Sequence, residues 1–445
     1  MTALRSPGHD LPTRLLQALA PWRDAPVWHV GYSGGLDSTV LLHLLAELGK
    51  YERLPSIKAI HVHHGLQAVA DSWPQHCQQV CQALGVPLQV VAVQVKSGAS
   101  LEQSARDARY AAFTELLDIH EVLLTGQHRD DQAETLLFRL LRGAGLRGLT
   151  GMPVSRFLGR GELIRPLLDV SREELEAYAS ANGLRWVEDP SNADSRFARN
   201  YLRNEVLPVI NARWPQASSN IARTAAHLDE AQQLMDELAS ADLATANAAS
   251  PLPWINVPSL ALPALAALSA ARQRNALRHW LAPLTRLPDS DHWAGWESLR
   301  DAGQGGRPVW RLADGELHRG QGRIWWLSDN WSMPVGGVWP WPDGRDVLRL
   351  PGNGQLMIDG EIPSGVLEVR YRQGGEVLNL PGRGRRDLKR LLNECEIPLF
   401  IRGRLPLLYR NGELWAVANL SRLCADPSEN GRLRWMPPTN DQSLS

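Results

Sequence analysis

Short apolar runs alternate with longer amphipathic stretches over the first half of the chain. Four such runs, at 27–31, 57–62, 88–95 and 121–126, are each followed by a helical pattern of ten or more residues. Strands and helices that alternate in this way form a parallel sheet covered by helices. The sequence therefore predicts an α/β domain whose ligands bind beyond the carboxyl ends of the strands.

The pattern changes near residue 215. Helical periodicity at 221–241 and 263–281 is followed by a segment rich in Trp, Pro and Gly, which predicts short strands and turns. Short strand patterns around a helix at 385–394 then predict a small α+β domain. Because 445 residues are too many for one core, we expect a catalytic domain at 1–215, a mostly helical middle domain at 216–345, a C-terminal domain at 350–430 and a tail at 431–445. We interpret five Trp residues of the Trp-rich segment as core residues: Trp325, Trp326, Trp331, Trp339 and Trp341.

Composition narrows the class of protein. Hydrophobic residues make up 44% of the chain and charged residues 21%, which is typical of a soluble protein. The longest apolar stretch, at 260–271, is shorter than a membrane span and contains Pro263. These features predict a cytoplasmic protein with no membrane association. The four cysteines are too few for a disulfide framework, and we interpret Cys77 and Cys81, four apart on a predicted helix, as core residues.

Positive charge is concentrated in one segment. Residues 370–410 contain ten Lys and Arg against four Asp and Glu, a net charge of +6, so a total of −1 leaves −7 for the rest of the chain. A basic segment on a nearly neutral protein indicates a polyanion partner held by one part of the molecule. A solvated basic face is the alternative interpretation.

The turn at 33–38 between the first predicted strand and its helix reads Ser-Gly-Gly-Leu-Asp-Ser. Glycines let the backbone approach a phosphate, and the helix start offers unpaired N–H groups to an anion. Ordinary P-loops carry a lysine where this turn carries Asp37. A carboxylate beside phosphates requires a divalent cation between them, so Asp37 is predicted to face Mg²⁺ or the substrate. A plain glycine turn is the alternative.

A second group of polar residues begins the helix after the fourth strand. Asp131 and Glu134 are three apart and share a helix face, with His128 just before them. These groups can hold Mg²⁺, deprotonate an amine or bind an ammonium ion. Alternatively, Asp131 and Glu134 form a capping box, which has no chemical role.

Three arginines follow a turn-rich segment. Arg196, Arg199 and Arg203 are spaced at i, i+3 and i+7, which predicts one helical stripe of guanidinium groups that can grip phosphates. A solvated helix face is the alternative interpretation.

These motifs together resemble a known family. The turn at 33–38 resembles the pyrophosphate-binding loop of the N-type, or PP-loop, ATP pyrophosphatases. The residues at 128–135, His-Arg-Asp-Asp-Gln-Ala-Glu-Thr, resemble a signature of one PP-loop subgroup, the tRNA(Ile)-lysidine synthetases. Further similarities to that family lie at 63–66, 105–110, 165–168, 189–192 and 197–203, and the basic segment is similar to its C-terminal tRNA-binding domain.

The resemblance implies an adenine nucleotide alpha hydrolase-like fold and a specific reaction. Members of that family use ATP to attach free L-lysine to C2 of the wobble cytidine in the CAU anticodon of tRNA(Ile), through an adenylated cytidine and with release of PPi and AMP. The implied catalytic residues are Asp37, His128, Asp131, Glu134 and Arg199. The implied ATP-binding residues are Ser33, Gly34, Gly35, Leu36, Asp37, Ser38 and Arg109, with Mg²⁺ at Asp37. The implied tRNA-binding residues are Arg196, Arg203, Arg383, Arg385, Arg386, Lys389 and Arg390.

Two other functions stay open at this point. A PP-loop enzyme that delivers sulfur to the same carbon of tRNA generally needs paired reactive cysteines, and Cys77 and Cys81 are predicted to lie within a helix away from the crevice. A noncatalytic tRNA-binding protein would require both the turn and the acidic cluster to be vestigial. The sequence also leaves open whether the protein forms a homodimer.

Overall fold

The computed structural model describes residues 11–65, 68–95, 101–287, 290–303, 306, 308–426 and 431–438. Leu66, from the motif at 63–66, lies outside these residues. The chain divides into two compact units, Met1–Gln233 and Leu234–Ser445.

The first unit contains a sheet whose strands alternate with helices. Its strands are β1 (Val27–Gly31), β2 (Ser56–His63), β3 (Leu88–Ala92), β4 (Val122–Leu124), β5 (Ser155–Leu158) and β6 (Gly161–Ile164). Its helices are α1 (Leu11–Leu19), α2 (Leu36–Leu48), α3 (Trp73–Leu84), α4 (Leu101–Leu116), α5 (Arg129–Leu141), α6 (Leu146–Leu149), α7 (Arg172–Ala181), α8 (Ala198–Tyr201) and α9 (Leu207–Arg213), and the unit boundary falls within α10 (Ala217–Ala246). The sheet order is β3-β2-β1-β4-β6-β5, parallel except for β5 at the edge. The predicted parallel sheet is confirmed.

Helix α2 is buried along most of its length, and this burial anchors the turn that precedes it. Leu41, Leu44 and Leu45 have no solvent exposure, and they share a core with Trp28 of β1. A helix that is buried on several faces needs an almost continuous apolar sequence, which is the pattern seen here. The turn at 33–38 is therefore held between a buried strand and a buried helix.

The strand order creates a ligand-binding crevice. Strand β1 lies between β2 and β4, so the connections from β1 and β4 diverge toward opposite edges of the sheet. Sheets of this type bind ligands at such a switch point, beyond the carboxyl ends of the strands. The turn at 33–38 follows β1 and the segment at 126–131 follows β4, so both fall at this crevice.

The second unit combines helices with small antiparallel sheets. Its first part contains α11 (Leu262–Ala266), α12 (Ala270–Leu281), α13 (Ala294–Asp301) and α14 (Asp329–Ser332), with strands β7 (Ser259–Ala261), β8 (Val309–Leu312), β9 (Gly315–Gly320) and β10 (Arg323–Ser328). The strands form a sheet in the order β7-β10-β9-β8, more sheet than the mostly helical prediction had assigned to this region. Trp325, Trp326, Trp331 and Trp341 are buried, which confirms their interpretation as core residues, while Trp339 is partly buried.

The C-terminal part of the chain is the predicted small α+β region. Its strands are β11 (Trp339–Pro340), β12 (Leu348–Arg349), β13 (Gln355–Asp359), β14 (Leu367–Arg370), β15 (Val377–Leu380), β16 (Gly384–Asp387), β17 (Leu407–Arg410), β18 (Glu413–Val417) and β19 (Arg432–Met436), and its helices are α15 (Leu388–Glu394) and α16 (Leu399–Arg402). The predicted helix at 385–394 begins three residues late, because Arg385 and Arg386 pair with β15 and Asp387 caps α15 through a bond from the Arg390 N–H. Residues 432–436, predicted within a tail, form a strand that pairs with β13.

Helix length and polarity bear on membrane association. Helix α10 has 30 residues but carries charged side chains along its length. Within the described ranges, no helix is both long enough and apolar enough to span a bilayer.

Candidate active site

Side-chain hydroxyls fix the shape of the turn at 33–38. The Ser33 and Ser38 Oγ atoms lie 3.0 Å apart, the Gly35 N–H donates to Ser33 Oγ at 3.3 Å, and the Ser38 hydroxyl donates to the Gly35 carbonyl at 3.1 Å. Gly35 is the N-cap of α2, and no described side chain caps this helix start. The turn therefore presents uncapped N–H groups and the exposed side chain of Ser33, which is a suitable arrangement for binding phosphate.

Two glycines allow the surrounding chain to pack closely against this turn. Gly34 has a φ of +86°, and a Cβ atom there would lie 3.1 Å from both Cys77 Sγ and Val187 Cγ2. A Cβ atom on Gly126, which follows β4, would lie 3.0 Å from the backbone carbon of Asp37. Sequence reasoning placed Gly126 at the end of the fourth predicted strand, at 121–126, but its spacing did not indicate the close approach to Asp37.

The cysteines lie closer to the turn than predicted. Cys77 Sγ lies beside Gly34, because a Cβ atom on that glycine would come within 3.1 Å of it, so the predicted placement of Cys77 away from the crevice was wrong. Its interpretation as a core residue, together with Cys81, is confirmed because both have no solvent exposure. Burial raises the pKa of Cys77 to about 12 and that of Cys81 to about 11. Both thiols are therefore protonated at neutral pH and poorly suited to carrying sulfur.

Asp37 and His128 meet at the crevice. Asp37 Oδ1 lies 3.7 Å from His128 Nε2 and 3.6 Å from Arg172 Nη1, and neither Oδ1 nor Nε2 has a hydrogen-bond partner among the described residues. Burial raises the pKa of Asp37. Burial opposes the protonation of His128, but the negative charges of the Asp130, Asp131 and Asp37 carboxylates raise its pKa overall. Sequence reasoning missed Arg172, which begins α7 far from Asp37 in the chain.

His128 is held in place as the N-cap of α5. Its Nδ1 accepts a hydrogen bond from the Asp130 backbone N–H at 3.3 Å, and the His128 backbone N–H donates to Asp131 Oδ2 at 3.1 Å. The capping box is therefore formed by His128 and Asp131, and the alternative box of Asp131 with Glu134 is wrong. Glu134 lies one turn further along the helix and is free of any capping role.

Asp131 and Glu134 together hold a cation. Arg203 donates from Nε and Nη2 to the two Glu134 carboxylate oxygens at 2.6 and 2.8 Å, and its Nη2 also donates to Asp131 Oδ1 at 2.9 Å. The Glu134 side chain is only 2% exposed, and burial raises its pKa although Arg203 acts in the opposite direction. The pair of carboxylates is thus a cation-binding site, here satisfied by a guanidinium group.

The prediction that Arg196, Arg199 and Arg203 form one helical stripe is wrong. Helix α8 begins at Ala198, so Arg196 lies before it, and a π-helical turn at Leu202–Val206 changes the spacing after it. Arg196 pairs with Asp194 at 2.7 Å, and Arg199 donates to Thr135 Oγ1 at 3.2 Å. The three arginines therefore have three different environments, and their functional roles remain predictions.

Arg109 lies near the end of β2. Burial and the charge of Arg109 lower the pKa of His64, the residue that follows this strand, to about 4. Arg109 is exposed, and no carboxylate partner is found for it in the part of the chain that the structure describes. It is therefore available to an anionic ligand at the same edge of the sheet.

The basic C-terminal surface is smaller than the charge count predicted. Arg402 and Arg404 are 8% and 4% exposed and donate to backbone carbonyls within the second unit. The five predicted tRNA-binding residues of this region are all exposed, and they are Arg383, Arg385, Arg386, Lys389 and Arg390. Arg383 also pairs with Glu394 at 2.8 Å.

The metal prediction rests on a single carboxylate. Within the described residues, no group of three or more His, Cys, Asp or Glu side chains is arranged to hold a metal ion. The buried Oδ1 of Asp37, which has no hydrogen-bond partner in the described part of the chain, nevertheless fits one oxygen ligand of Mg²⁺, a cation that takes its remaining ligands from water and from substrate phosphates.

Comparison with protein families agrees with this geometry. The profile of the PP-loop domain matches residues 8–210. Profiles described as the TilS substrate binding domain and the TilS substrate C-terminal domain match residues 260–325 and 367–435. The fold and the turn at 33–38 therefore define an ATP-binding protein of the PP-loop class.

Full-length relatives narrow this class. The chain is 66% identical to the tRNA(Ile)-lysidine synthase of Pseudomonas syringae pv. tomato over 100% of both chains. It belongs to the tRNA(Ile)-lysidine synthase family. Relatives of the same name in Pseudomonas aeruginosa and Escherichia coli O157:H7 are 62% and 41% identical, over 99% and 87% of this chain and 100% and 91% of theirs.

Proposed function

We propose that this chain uses ATP to attach free L-lysine to C2 of the wobble cytidine in the CAU anticodon of tRNA(Ile). The product, lysidine, changes the codon that the tRNA reads from AUG to AUA. The observation that carries the proposal is that the turn at 33–38, His128 and the Asp131–Glu134 pair lie together at one edge of the sheet. Membership of the lysidine synthase family supports the same function. A tRNA substrate is also consistent with the cytoplasmic location that the sequence predicts.

The first step of the proposed reaction activates the cytosine. C2 is a weak electrophile and its carbonyl oxygen is a poor leaving group. In the adenylation step, the oxygen forms a bond to the α-phosphorus of ATP and the bond to pyrophosphate breaks. The uncapped N–H groups of the turn, with Ser33 and Ser38, would bind the pyrophosphate part of ATP. His128, Arg199 and Arg109 would stabilise negative charge on the phosphates.

The second step requires a neutral amine. Lysine has an ε-ammonium group with a pKa near 10.4, which must lose a proton before its nitrogen can attack C2. Asp131 and Glu134 would bind this ammonium group where Arg203 now donates, and Glu134, whose pKa burial raises, would accept the proton. The amine then adds to C2, and AMP departs with the former carbonyl oxygen.

Asp37 would hold Mg²⁺ at this site. Its buried Oδ1 has no hydrogen-bond partner among the described residues, so a carboxylate ligand position is available. When bound, the ion neutralises phosphate charge and favours the departure of pyrophosphate.

The basic residues of the C-terminal region would bind tRNA. Arg385, Arg386 and Lys389 are exposed, and an unmodified tRNA presents one phosphate per nucleotide to such groups. Contacts of this kind add affinity without reading sequence, so the choice of the CAU anticodon must depend on contacts to its bases.

The reaction can be tested in one assay. Pyrophosphate release is measured with and without unmodified tRNA(Ile) and lysine, and the nucleosides are then analysed by mass spectrometry. The proposal predicts release that depends on the tRNA and a cytidine that has gained the mass of lysine less water. Release without that adduct would mean a different nucleophile, and no release with any tRNA would favour a noncatalytic binding protein.

A further inference from the structure

The face of α5 that carries the acidic pair continues into an apolar groove. Phe138 and Leu141 follow Glu134 at i+4 and i+7, so the groove starts about one helical turn, or roughly 6 Å, from the carboxylates. The opposite wall comes from α8 and the π-helical turn, which also carry Arg199 and Arg203. The groove has a volume of about 360 Å³, and its lining includes Phe138, Leu141, Arg142, Arg196 and Tyr201.

The groove combines exposed apolar side chains with positive charge. Leu141 and Tyr201 are 74% and 51% exposed and line the same groove, and contiguous exposed apolar surface of this kind often marks an interaction site. The Arg142 guanidinium lies 5.1 Å from the centre of the Phe138 ring, and no carboxylate partner is found for it within the described ranges. Arg196 is 89% exposed at the rim even though it pairs with Asp194. Aromatic rings beside arginines are the elements with which proteins bind unpaired bases of single-stranded nucleic acid.

We propose that this groove binds an unpaired base of the tRNA anticodon loop that neighbours the reacting cytidine. The inference rests on the proposed function, because that function places the anticodon loop at the adjoining carboxylates. The rings of Tyr201 and Phe138 stack against the base. The guanidinium groups of Arg142 and Arg196 contact the phosphates on either side of it. The continuity of the groove with the acidic face of α5, and the positive charge at its rim, favour RNA over an apolar protein segment.

The experiment measures affinity of the full-length protein for tRNA(Ile) and for tRNAs that carry one abasic nucleotide in the anticodon loop. Removing the ring in Tyr201→Ala is expected to weaken binding of intact tRNA roughly 5- to 100-fold, the range for loss of one stacked base. Tyr201→Phe keeps the ring and should restore the affinity. Tyr51→Ala removes a tyrosine that is 85% exposed beyond the far end of α2 and serves as the matched control.

The abasic substrates identify the base. One abasic position other than the wobble cytidine should weaken binding to the wild-type protein and have little further effect on Tyr201→Ala, because both changes remove the same contact. Equal losses in both proteins at every position would overturn the inference. Unchanged tRNA affinity with an altered oligomeric state in Tyr201→Ala, measured by light scattering, would assign the groove to a second copy of the chain and would also overturn it.

Formation of lysidine by the wild-type protein is measured in parallel. If lysidine forms but Tyr201→Ala binds every tRNA like the wild type, the groove inference fails and the proposed function stands. If no lysidine forms, the proposed function fails. The tRNA affinities of the wild-type and Tyr201→Ala proteins then still show whether Tyr201 contacts a base.

Discussion

Arg203 donates two hydrogen bonds to the buried carboxylate of Glu134, from Nε to Oε1 at 2.6 Å and from Nη2 to Oε2 at 2.8 Å. A planar guanidinium matches both carboxylate oxygens at once, which makes such pairs strong and well oriented. The same guanidinium bonds to Asp131, so the two acids proposed to bind lysine are held in position by one internal cation. An incoming ammonium group must share or replace these contacts.

Substitutions in the acidic pair, Asp131 and Glu134, should slow lysine addition without stopping adenylation of the cytidine. We expect Glu134→Gln to lower the rate of lysine addition by roughly 10²- to 10⁴-fold, the usual contribution of a general base, while tRNA-dependent pyrophosphate release continues. Asp131→Asn should act in the same direction. The measurement is single-turnover formation of lysidine alongside release of pyrophosphate. Glu205→Gln, an exposed change on the neighbouring π-helical turn, is the control, and full lysine incorporation by both acidic-pair variants would contradict the assignment.

Asp37 should set the requirement for magnesium. If its carboxylate is a ligand, Asp37→Asn should raise the Mg²⁺ concentration needed for half-maximal pyrophosphate release by roughly 10- to 100-fold, and a chelator should abolish release by the wild-type protein. Asp118→Asn removes a carboxylate that is 73% exposed and should leave the magnesium titration unchanged. Superimposable titrations for Asp37→Asn and wild type would remove Asp37 from the metal site.

Gly126 should be intolerant of a methyl group. The added Cβ would lie 3.0 Å from the backbone carbon of Asp37 and 3.1 Å from the Ser38 nitrogen, and neither atom can move without shifting the start of α2. We expect Gly126→Ala to weaken ATP binding and to cost about 1–3 kcal/mol of stability. Calorimetric titration with ATP and urea unfolding test this. Gly403→Ala meets no atom within 4 Å and is the control, so equal behaviour of the two variants would refute the tight packing.

Exposed basic residues of the C-terminal region should determine the salt dependence of tRNA binding. Loss of Arg385 and Lys389 in the double alanine variant should reduce the slope of log affinity against log salt by roughly 0.7–0.9 for each lost phosphate contact. Filter binding at several salt concentrations measures the slope. Arg311→Ala removes another exposed arginine of the second unit and should not change it. An unaltered slope in the double variant would exclude both residues from the tRNA interface.

Asn353 should be a stability determinant of the second unit. Its fully buried side chain donates to the Arg404 carbonyl at 2.8 Å and accepts from Arg404 Nε at 3.1 Å. Asn353→Ala leaves both partners unsatisfied, which should lower the free energy of unfolding by about 2–4 kcal/mol. Chemical unfolding measures the loss, and exposed Asn379→Ala should show little change. A comparably small loss at Asn353 would mean that water replaces these bonds.

Much of the fold was predictable because its signals are local. The alternation of apolar runs and helical periods indicated β1 to β4 and their parallel sheet, and the Ser-Gly-Gly turn indicated the nucleotide site. The strands of the second unit were harder to predict. Strand β10 has a nearly continuous buried sequence at 323–328, and its pairing with β9 and β7 depends on residues far away in the chain. Periodicity alone does not distinguish such a strand from a buried helix.

The sequence by itself determined the nucleotide-binding turn, the alternation of strands and helices along the chain and the acidic pair on one face of α5. Each of these depends on residues that are close in the chain. Only the tertiary structure decided that Arg203 satisfies that pair, that Arg172 and Gly126 approach Asp37, and that Cys77 supports the turn. These contacts join segments separated by tens of residues. Spacing within a helix or a strand carries no information about such distances, which are set by how the elements pack.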